Sequence, residues 1–465
     1  MSLTPAGPAR AQRAPGSLGR VGRGGLSRGR GRPRGAMGSP RAAAASEPLD
    51  VAVVGGGPGG LATALALRRA DPTLSVKVFE ASPDIRQPGA SVLMHVNGWR
   101  ALAAIDPDLA GGLWDKRITV KALHMHDMHG QLTARMPTGA MAGDLLEKTG
   151  WQPALLAWQD IRGAMYDMLP GGSVELEHRF AGYEAQGDGG GLLTFDTSGG
   201  GRAAVAAAYV VGADGFYSRV RQRALGDAPP DFSGSVMWRG KLDLSASAGP
   251  LQKWLAEQDP ECRTAHRWIQ DPAKGFQTRF MAVYPIRADT LLLSGNAPVA
   301  ELELLGLTYD HERRATSAVG ETNDAKTAAQ RELWLQAFAG FPGMLLDAIA
   351  AIPAGDITEH GLFLRSLENL PEGGRWGRGR ITLIGDAAHV GAPDGQGLNL
   401  AIEDAAVLAA SVQQHGLSEA ALREFELARI PRVRDIQRYT ERNPERMQLV
   451  LEDVVKPLVS AAAES

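Results

Sequence analysis

Asp50-Val-Ala-Val-Val54 runs straight into Gly55-Gly-Gly57-Pro-Gly-Gly60, and a helix-period segment, Leu61 to Ala70, follows. A short, wholly apolar run is the pattern of a strand buried on both faces, and the change of period after the glycines marks a helix. The spacing Gly55-x-Gly57-x-x-Gly60 suits a dinucleotide. The first glycine permits the tight turn, the second lets backbone N–H groups approach a pyrophosphate, and the third lets helix and strand pack closely. A second strand, Ser75-Val-Lys-Val-Phe79, ends in Glu80, twenty-five residues after Gly55. A carboxylate there can accept both ribose hydroxyls of an adenosine. This context predicts a site for the ADP moiety of FAD or NAD(P). The competing reading is a structural turn followed by a surface Glu.

Near the C-terminus the pattern returns. The apolar strand Ile381-Thr-Leu-Ile384 ends in Gly385-Asp386-Ala-Ala-His389, then Pro393-Asp-Gly395-Gln-Gly397-Leu398-Asn399, then the helix-period run Leu400 to Ala410. Asp386 at a strand end can hydrogen-bond ribityl hydroxyls, and the N-terminus of the next helix can stabilise negative charge on the N1/C2 edge of a reduced flavin. Gly395 and Gly397 would let the backbone come close. Between the two motifs lies Val211-Gly-Ala-Asp214-Gly215-Phe-Tyr-Ser218-Arg-Val-Arg221.

In that order the three motifs, with Glu403-Asp404, resemble the class A flavoprotein monooxygenases of the p-hydroxybenzoate hydroxylase fold. The resemblance spans about Leu49 to Arg442. It implies an α/β fold: a Rossmann-like FAD-binding domain with an inserted mostly-β substrate domain and a C-terminal helical segment. It also implies cofactor roles, with Gly55, Gly57 and Gly60 at the pyrophosphate, Glu80 on the ribose, Arg162 of Asp160-Ile-Arg162 on the FAD phosphates, and Asp386 on the ribityl chain. Gly385, Gly395, Gly397, Leu398 and Asn399 belong to the same motif at the flavin. Asp214, with Gly215, is associated in the family with both FAD and NAD(P)H use. Met237-Trp-Arg239-Gly240 and Tyr284-Pro-Ile286 echo two strands of the second domain, which makes Arg239 and Tyr284 candidate catalytic residues; the plainer readings are an edge-strand salt bridge and a core aromatic. Arg429-Ile-Pro431-Arg432 resembles a further family stretch.

The implied chemistry is carried by the flavin: NAD(P)H reduces it, O2 adds at C4a to give a hydroperoxide, and one oxygen passes to an electron-rich substrate. Neither a metal centre nor a Ser-His-Asp triad is expected, since the ten histidines are scattered without an HExxH and there is one cysteine, Cys262. In Leu123-His124-Met-His126-Asp-Met-His129 the first two imidazoles share one face of a strand. A solvent-facing strand with a hairpin at His129-Gly130 is preferred there to a metal site. His389 is expected to support its loop. Gly187-Asp-Gly-Gly-Gly191 and Ser198-Gly-Gly-Gly201 flank a strand, Leu192 to Asp196, and read as hairpin turns. There is thus no second dinucleotide motif, and NADPH or NADH is expected to bind transiently.

The length of 465 residues suits two or three domains at about 150 residues each. A single cysteine excludes a disulfide scaffold and fits a reducing compartment. The apolar stretches are too interrupted for a membrane span. Residues 1–46 hold nine arginines and no Lys, Asp or Glu, leaving 40 basic against 52 acidic residues in the rest. That stretch is expected to be a disordered tail and a transit peptide, a plastid address first and a mitochondrial or cytoplasmic location otherwise. Nucleic-acid binding through Arg30-Gly-Arg-Pro33, and an extension upstream of a start at Met37, are the competing readings.

The expected organisation is 47–225 and 355–420 for the FAD-binding domain, 226–354 for the substrate domain and 421–465 for C-terminal helices. Strand-like runs at 233–244, 278–284 and 290–295 suit a sheet roofing the flavin, and 315–330 reads as a polar loop or lid. The function this predicts is hydroxylation or epoxidation of a small aromatic, polyene or quinone-like molecule, with that substrate and O2 as partners. Alternatives are a plastid zeaxanthin epoxidase-type enzyme, a geranylgeranyl reductase-like flavin reductase, or a non-enzymatic flavin-binding regulator with a nucleic-acid-binding tail.

Overall fold

The computed structural model describes residues 47–85, 91–187, 189–245, 249–287, 289–311, 324–367, 374–392, 394–438, 444–455 and 458. The Arg-rich stretch 1–46 lies outside them, as do residues 315–323 of the segment expected to form a loop or lid. From there the chain is helical, Asp324–Ala337. No helix among the described residues is long and apolar enough to cross a membrane.

In chain order the strands are β1 (Leu49–Val54), β2 (Val76–Phe79), β3 (Ser91–Met94), β4 (Ala122–Asp127), β5 (Leu132–Met136), β6 (Ala154–Ala157), β7 (Val174–Glu175), β8 (His178–Ala185), β9 (Gly191–Thr197), β10 (Arg202–Gly212), β11 (Asp231–Asp243), β12 (Thr264–Ile269), β13 (Phe280–Arg287), β14 (Thr290–Pro298), β15 (Ile357–Leu364) and β16 (Ile381–Leu383). The first sheet runs β7-β2-β1-β10-β9-β8, with β16 also beside β10. β1 is parallel to both β2 and β10, which explains why Val51 to Val54 are apolar without alternation: all four are buried. Helices Pro58–Ala70 and Gly397–His415 pack together against this sheet. β8, β9 and β10 form antiparallel hairpins whose turns use Gly189, Gly199 and Gly200 at positive φ.

The second sheet runs β15-β11-β14-β13-β12-β4-β5. Here the local boundaries need correction. Residues 122–136 and 357–364 were placed with the cofactor domain, yet β4 pairs in parallel with β12 and β15 pairs with β11, so both belong to the second sheet. Such partners are more than a hundred residues apart in sequence, and local periodicity carries no information about them.

The register sets two faces. Val236, Trp238, Leu293, Met281 and Trp268 lie on one, packed beneath Trp334 of helix Asp324–Ala337, Phe338 just beyond it and Leu345 of helix Gly343–Ala351. His124, His126 and His266 share that face. The expectation of solvent-facing histidines is therefore corrected: His126 is 4% exposed, its Nε2 is 3.2 Å from His266 Nδ1, and its ring stacks on Trp268. The hairpin at His129-Gly130 is present, with Gly130 at φ +91°. No cluster of metal-ligating side chains occurs among the described residues.

Burial, then His126 and His124, push the His266 imidazole down to about 3 from 6.5, against a smaller pull from Asp259. The folded value lies below the unfolded one, so the unfolded chain binds the extra proton. The stabilisation is complete above the ordinary histidine value and is lost as pH falls from there towards about 3. At about pH 4.5 this one group should cost on the order of 2–3 kcal/mol relative to about pH 7.5. Urea unfolding of wild type and His266→Phe at the two pH values checks it; an equal acid loss in both proteins would refute the assignment.

Candidate active site

Each glycine of the first motif has a separate task. Gly55 sits at φ +112°, and a Cβ on it would lie 2.3 Å from the Ala213 carbonyl oxygen. A Cβ on Gly60 would meet the Gly55 carbonyl oxygen at 1.9 Å, because here the helix crosses the strand end without a gap. Gly57 has extended backbone (φ −70°, ψ 172°), and no atom of the described residues lies within 4 Å of its Cβ position, which leaves room for a ligand. Glu80 follows β2, where its two carboxylate oxygens accept from Gly56 N (2.6 Å) and Ser82 N (2.7 Å). Each oxygen keeps a second lone pair for a ribose hydroxyl. Arg162, on helix Trp158–Met168, donates from Nε to the Gly56 carbonyl (3.0 Å) and lies 3.6 Å from Glu80.

The other motifs meet this one across the sheet. Asp214 follows β10, and its carboxylate accepts from Ser218 Oγ, Arg219 N and Val220 N. It is thus a cap that shapes the turn containing Gly215, which has φ +78°. Gly385, at φ +55°, carries the chain from β16 to Asp386. The Asp386 carboxylate has no hydrogen-bond donor among the described residues, and the residue is exposed although protein surrounds its carboxyl group. Burial raises its pKa, with His389 and Arg239 opposing. Gly395, at φ +86°, shapes the loop before helix Gly397–His415, and Gly397 and the half-buried Leu398 open that helix. The Asn399 side chain faces inward, accepting from His95 N and donating to the Leu93 and Gly395 carbonyls, so it braces the loop.

Beneath Asp386 lies a buried ionic network. Asp404 accepts from Gly385 N (2.9 Å), His389 Nε2 (2.6 Å) and Arg429 Nε (2.8 Å). Glu403 is held by Arg429 Nη1 (2.6 Å) and by both Nε and Nη2 of Arg432 (2.8 Å each). Burial alone would raise both carboxyls, but for Glu403 the two arginines, and for Asp404 His389 and Arg429, hold them below their ordinary values. His389 does support its loop, as the sequence predicts, by tying it to Asp404. The motif residues Glu403, Asp404, Arg429 and Arg432 were visible in sequence, but their pairing was not.

On the face of the second sheet opposite the aromatic core, Arg239 (β11), Tyr284 (β13), Arg267 (β12) and His360 (β15) come together. Arg239 lies within electrostatic range of Tyr284 and of Asp386, which links this face to the flavin motif. Burial chiefly, and Arg239 next, push His360 down to about 3, so it is neutral at physiological pH. Arg267 donates from Nη2 to the Tyr284 hydroxyl at 2.9 Å. Sequence reasoning picked Arg239 and Tyr284 and missed Arg267 and His360. Strand alternation supplied a signal for Arg267, which has opposite parity to the core residues His266 and Trp268.

A profile for the FAD binding domain family matches residues 110–293 and 373–438. A 3-amino-4-hydroxybenzoate 2-monooxygenase of Streptomyces platensis is 31% identical over 394 residues, 83% of this chain and 86% of that one. The chain belongs to the FAD-dependent class A aromatic hydroxylase family. An FAD-dependent urate hydroxylase of Klebsiella pneumoniae is 26% identical over 390 residues, again 83% of this hydroxylase-family chain and 86% of the relative. The fold matches the Klebsiella pneumoniae protein HpxO, solved with FAD and uric acid, at TM-score 0.60 and 24% identity, covering 86% of this chain and 90% of that one.

The residues present fit FAD. The bare Cβ position of Gly57 and the Arg162–Glu80 pair would hold the ADP half, and Asp386, an acceptor without a donor among the described residues, would hold the ribityl hydroxyls. The N-terminus of helix Gly397–His415 would face the flavin's electron-rich edge.

Proposed function

We propose that this protein is an NAD(P)H-consuming monooxygenase that transfers one oxygen atom of O2 to a small, electron-rich aromatic or quinone-like molecule. The observation that carries the reading is that Arg239, beside Tyr284 on the second sheet, lies within electrostatic range of Asp386. Bound FAD supplies the redox and oxygen chemistry. The chain's own residues do the rest. Asp386 and the Gly395 loop fix the cofactor, the second sheet excludes water from above, and Arg239 and Tyr284 orient the substrate and stabilise charge developing on its oxygen. The relatives' named activities on an aminohydroxybenzoate and on urate support a compact, electron-rich ring.

The FAD-loaded protein is mixed anaerobically with NADPH or NADH, and the visible flavin band is followed with and without pooled aromatics. Bleaching that accelerates with one pool, followed by oxygen-dependent product, is the expected result. A flavin that neither nicotinamide reduces would overturn the reading. Arg239→Met should retain FAD yet lose about 10²–10³-fold in kcat/KM for the substrate so found, the scale of removing one preorganised donor. An unchanged kcat/KM would remove Arg239 from the site.

A further inference from the structure

Arginine has only donors, whereas a phenol hydroxyl can both donate and accept. Because Arg267 Nη2 donates to the Tyr284 oxygen, the hydroxyl is the acceptor in that bond and its own hydrogen must point elsewhere. No described residue accepts it, and Tyr284 is half-buried on the same face as Arg239, which lies within electrostatic range of Asp386. The rows of the sheet through Arg239 and through Tyr284 draw on β11, β14, β13 and β12, and none of these strands places an acidic side chain in them. At the centre of the roof, therefore, Arg239, Tyr284 and Arg267 present donors, beside the neutral imidazole of His360.

We infer that Arg267 is a positioning residue which turns the Tyr284 hydroxyl into a donor, so that the roof selects substrates presenting an anionic or strongly polarised oxygen: a carboxylate, phenolate or enolate. This rests on the monooxygenase reading and adds to it the polarity of the substrate's docking group. A neutral, donor-rich ring would leave the guanidinium of Arg239 and the hydroxyl of Tyr284 without acceptors in a cleft that excludes water. Arg267 itself need not touch the substrate. Its effect passes through one hydrogen bond, and a lysine could restore that donor, whereas a glutamine, which can both donate and accept, would not fix the hydroxyl's direction.

The test uses the FAD-loaded full chain and the flavin difference spectrum as the binding signal. Matched probes are aromatic acids, their amides and their methyl esters, in a one-ring series (3-hydroxybenzoate, 4-hydroxybenzoate, anthranilate) and a two-ring series (2-naphthoate). At least one acid should bind tenfold or more tightly than its amide and ester. In Arg267→Gln the ratio should collapse to within about threefold, and Arg267→Lys should recover most of it, with FAD retention equal in all three proteins. Tyr284→Phe, which removes the donated hydrogen and leaves Arg267 in place, should lower acid affinity in the same way. Equal affinity for acids and amides, failure of every acid to bind, or an unchanged ratio in both Arg267→Gln and Tyr284→Phe would overturn the inference. Nicotinamide reduction of the flavin is read in the same samples: reduction without an acid preference defeats this inference alone, whereas absence of reduction defeats the monooxygenase reading.

Discussion

Gly57→Val is expected to leave the apoprotein as stable as wild type and to cost at least about 100-fold in FAD affinity, roughly 3 kcal/mol. The two halves of that statement have separate physical sources. Gly57 lies at φ −70°, ψ 172°, a conformation a β-branched residue adopts freely, and its Cβ would touch no protein atom within 4 Å. A Cβ there therefore meets no clash among the described residues. The space is left for a pyrophosphate that approaches the backbone N–H groups, and two methyl groups would hold it away. The contrast is Gly60→Ala, where a single Cβ lands 1.9 Å from the Gly55 carbonyl oxygen, so the helix must part from the strand. Chemical denaturation of the apoprotein together with FAD titration separates the two. A destabilised Gly57→Val apoprotein, or one that holds FAD normally, would contradict the assignment of this loop.

Arg429→Met should be among the most damaging single substitutions in the chain, at about 3–5 kcal/mol. Arg429 is 1% exposed and bridges Asp404 and Glu403, both fully buried. Methionine matches its length but leaves one carboxylate relying on His389 and Gly385 N and the other on Arg432 and Asn97. The neutralised alternative, protonation of a buried acid, costs free energy at neutral pH. Because Asp404 also holds the amide of Gly385, the damage should spread to Asp386, and FAD release should accompany the loss of stability. Lys121→Ala is the control: its pair with Glu261 is 62% and 68% exposed, and removing it should leave the urea midpoint unchanged, because solvent screens the pair. Urea unfolding with flavin fluorescence checks both; an Arg429→Met protein as robust as Lys121→Ala would show that the network is dispensable.

The cofactor half of the site was legible because its chemistry is local. A pyrophosphate cradle needs three glycines at fixed spacing between a strand and a helix, and each has the task the spacing implies: positive φ at Gly55, open space at Gly57, close crossing at Gly60. The same local logic located Asp386 at a strand end. It was less informative where a side chain's partner is remote. Asp214 and Asn399 are conspicuous in their motifs, yet the structure gives Asp214 three donors from the following turn and Asn399 partners some three hundred residues away. Nothing in either motif distinguishes a group that braces a loop from one that reaches out of it.

Sequence alone determined the order of strand, glycine turn and helix, the buried character of β1, the absence of a second dinucleotide motif of that form, and the resemblance that named the flavin. Each motif behind them depends on residues within about thirty positions of one another, where backbone geometry fixes the spacing. Tertiary structure alone decided that β4 and β15 join the second sheet, that His126 is buried against His266 and Trp268, that Glu403 and Asp404 are neutralised by Arg429 and Arg432, and that Arg267 commits the Tyr284 hydroxyl to donate. Each is a pairing across the fold. A charge or a hydrogen-bonding group declares in the sequence only what it can offer; the partner that decides its role is supplied by strand register and helix packing, which bring distant residues within three ångströms of each other.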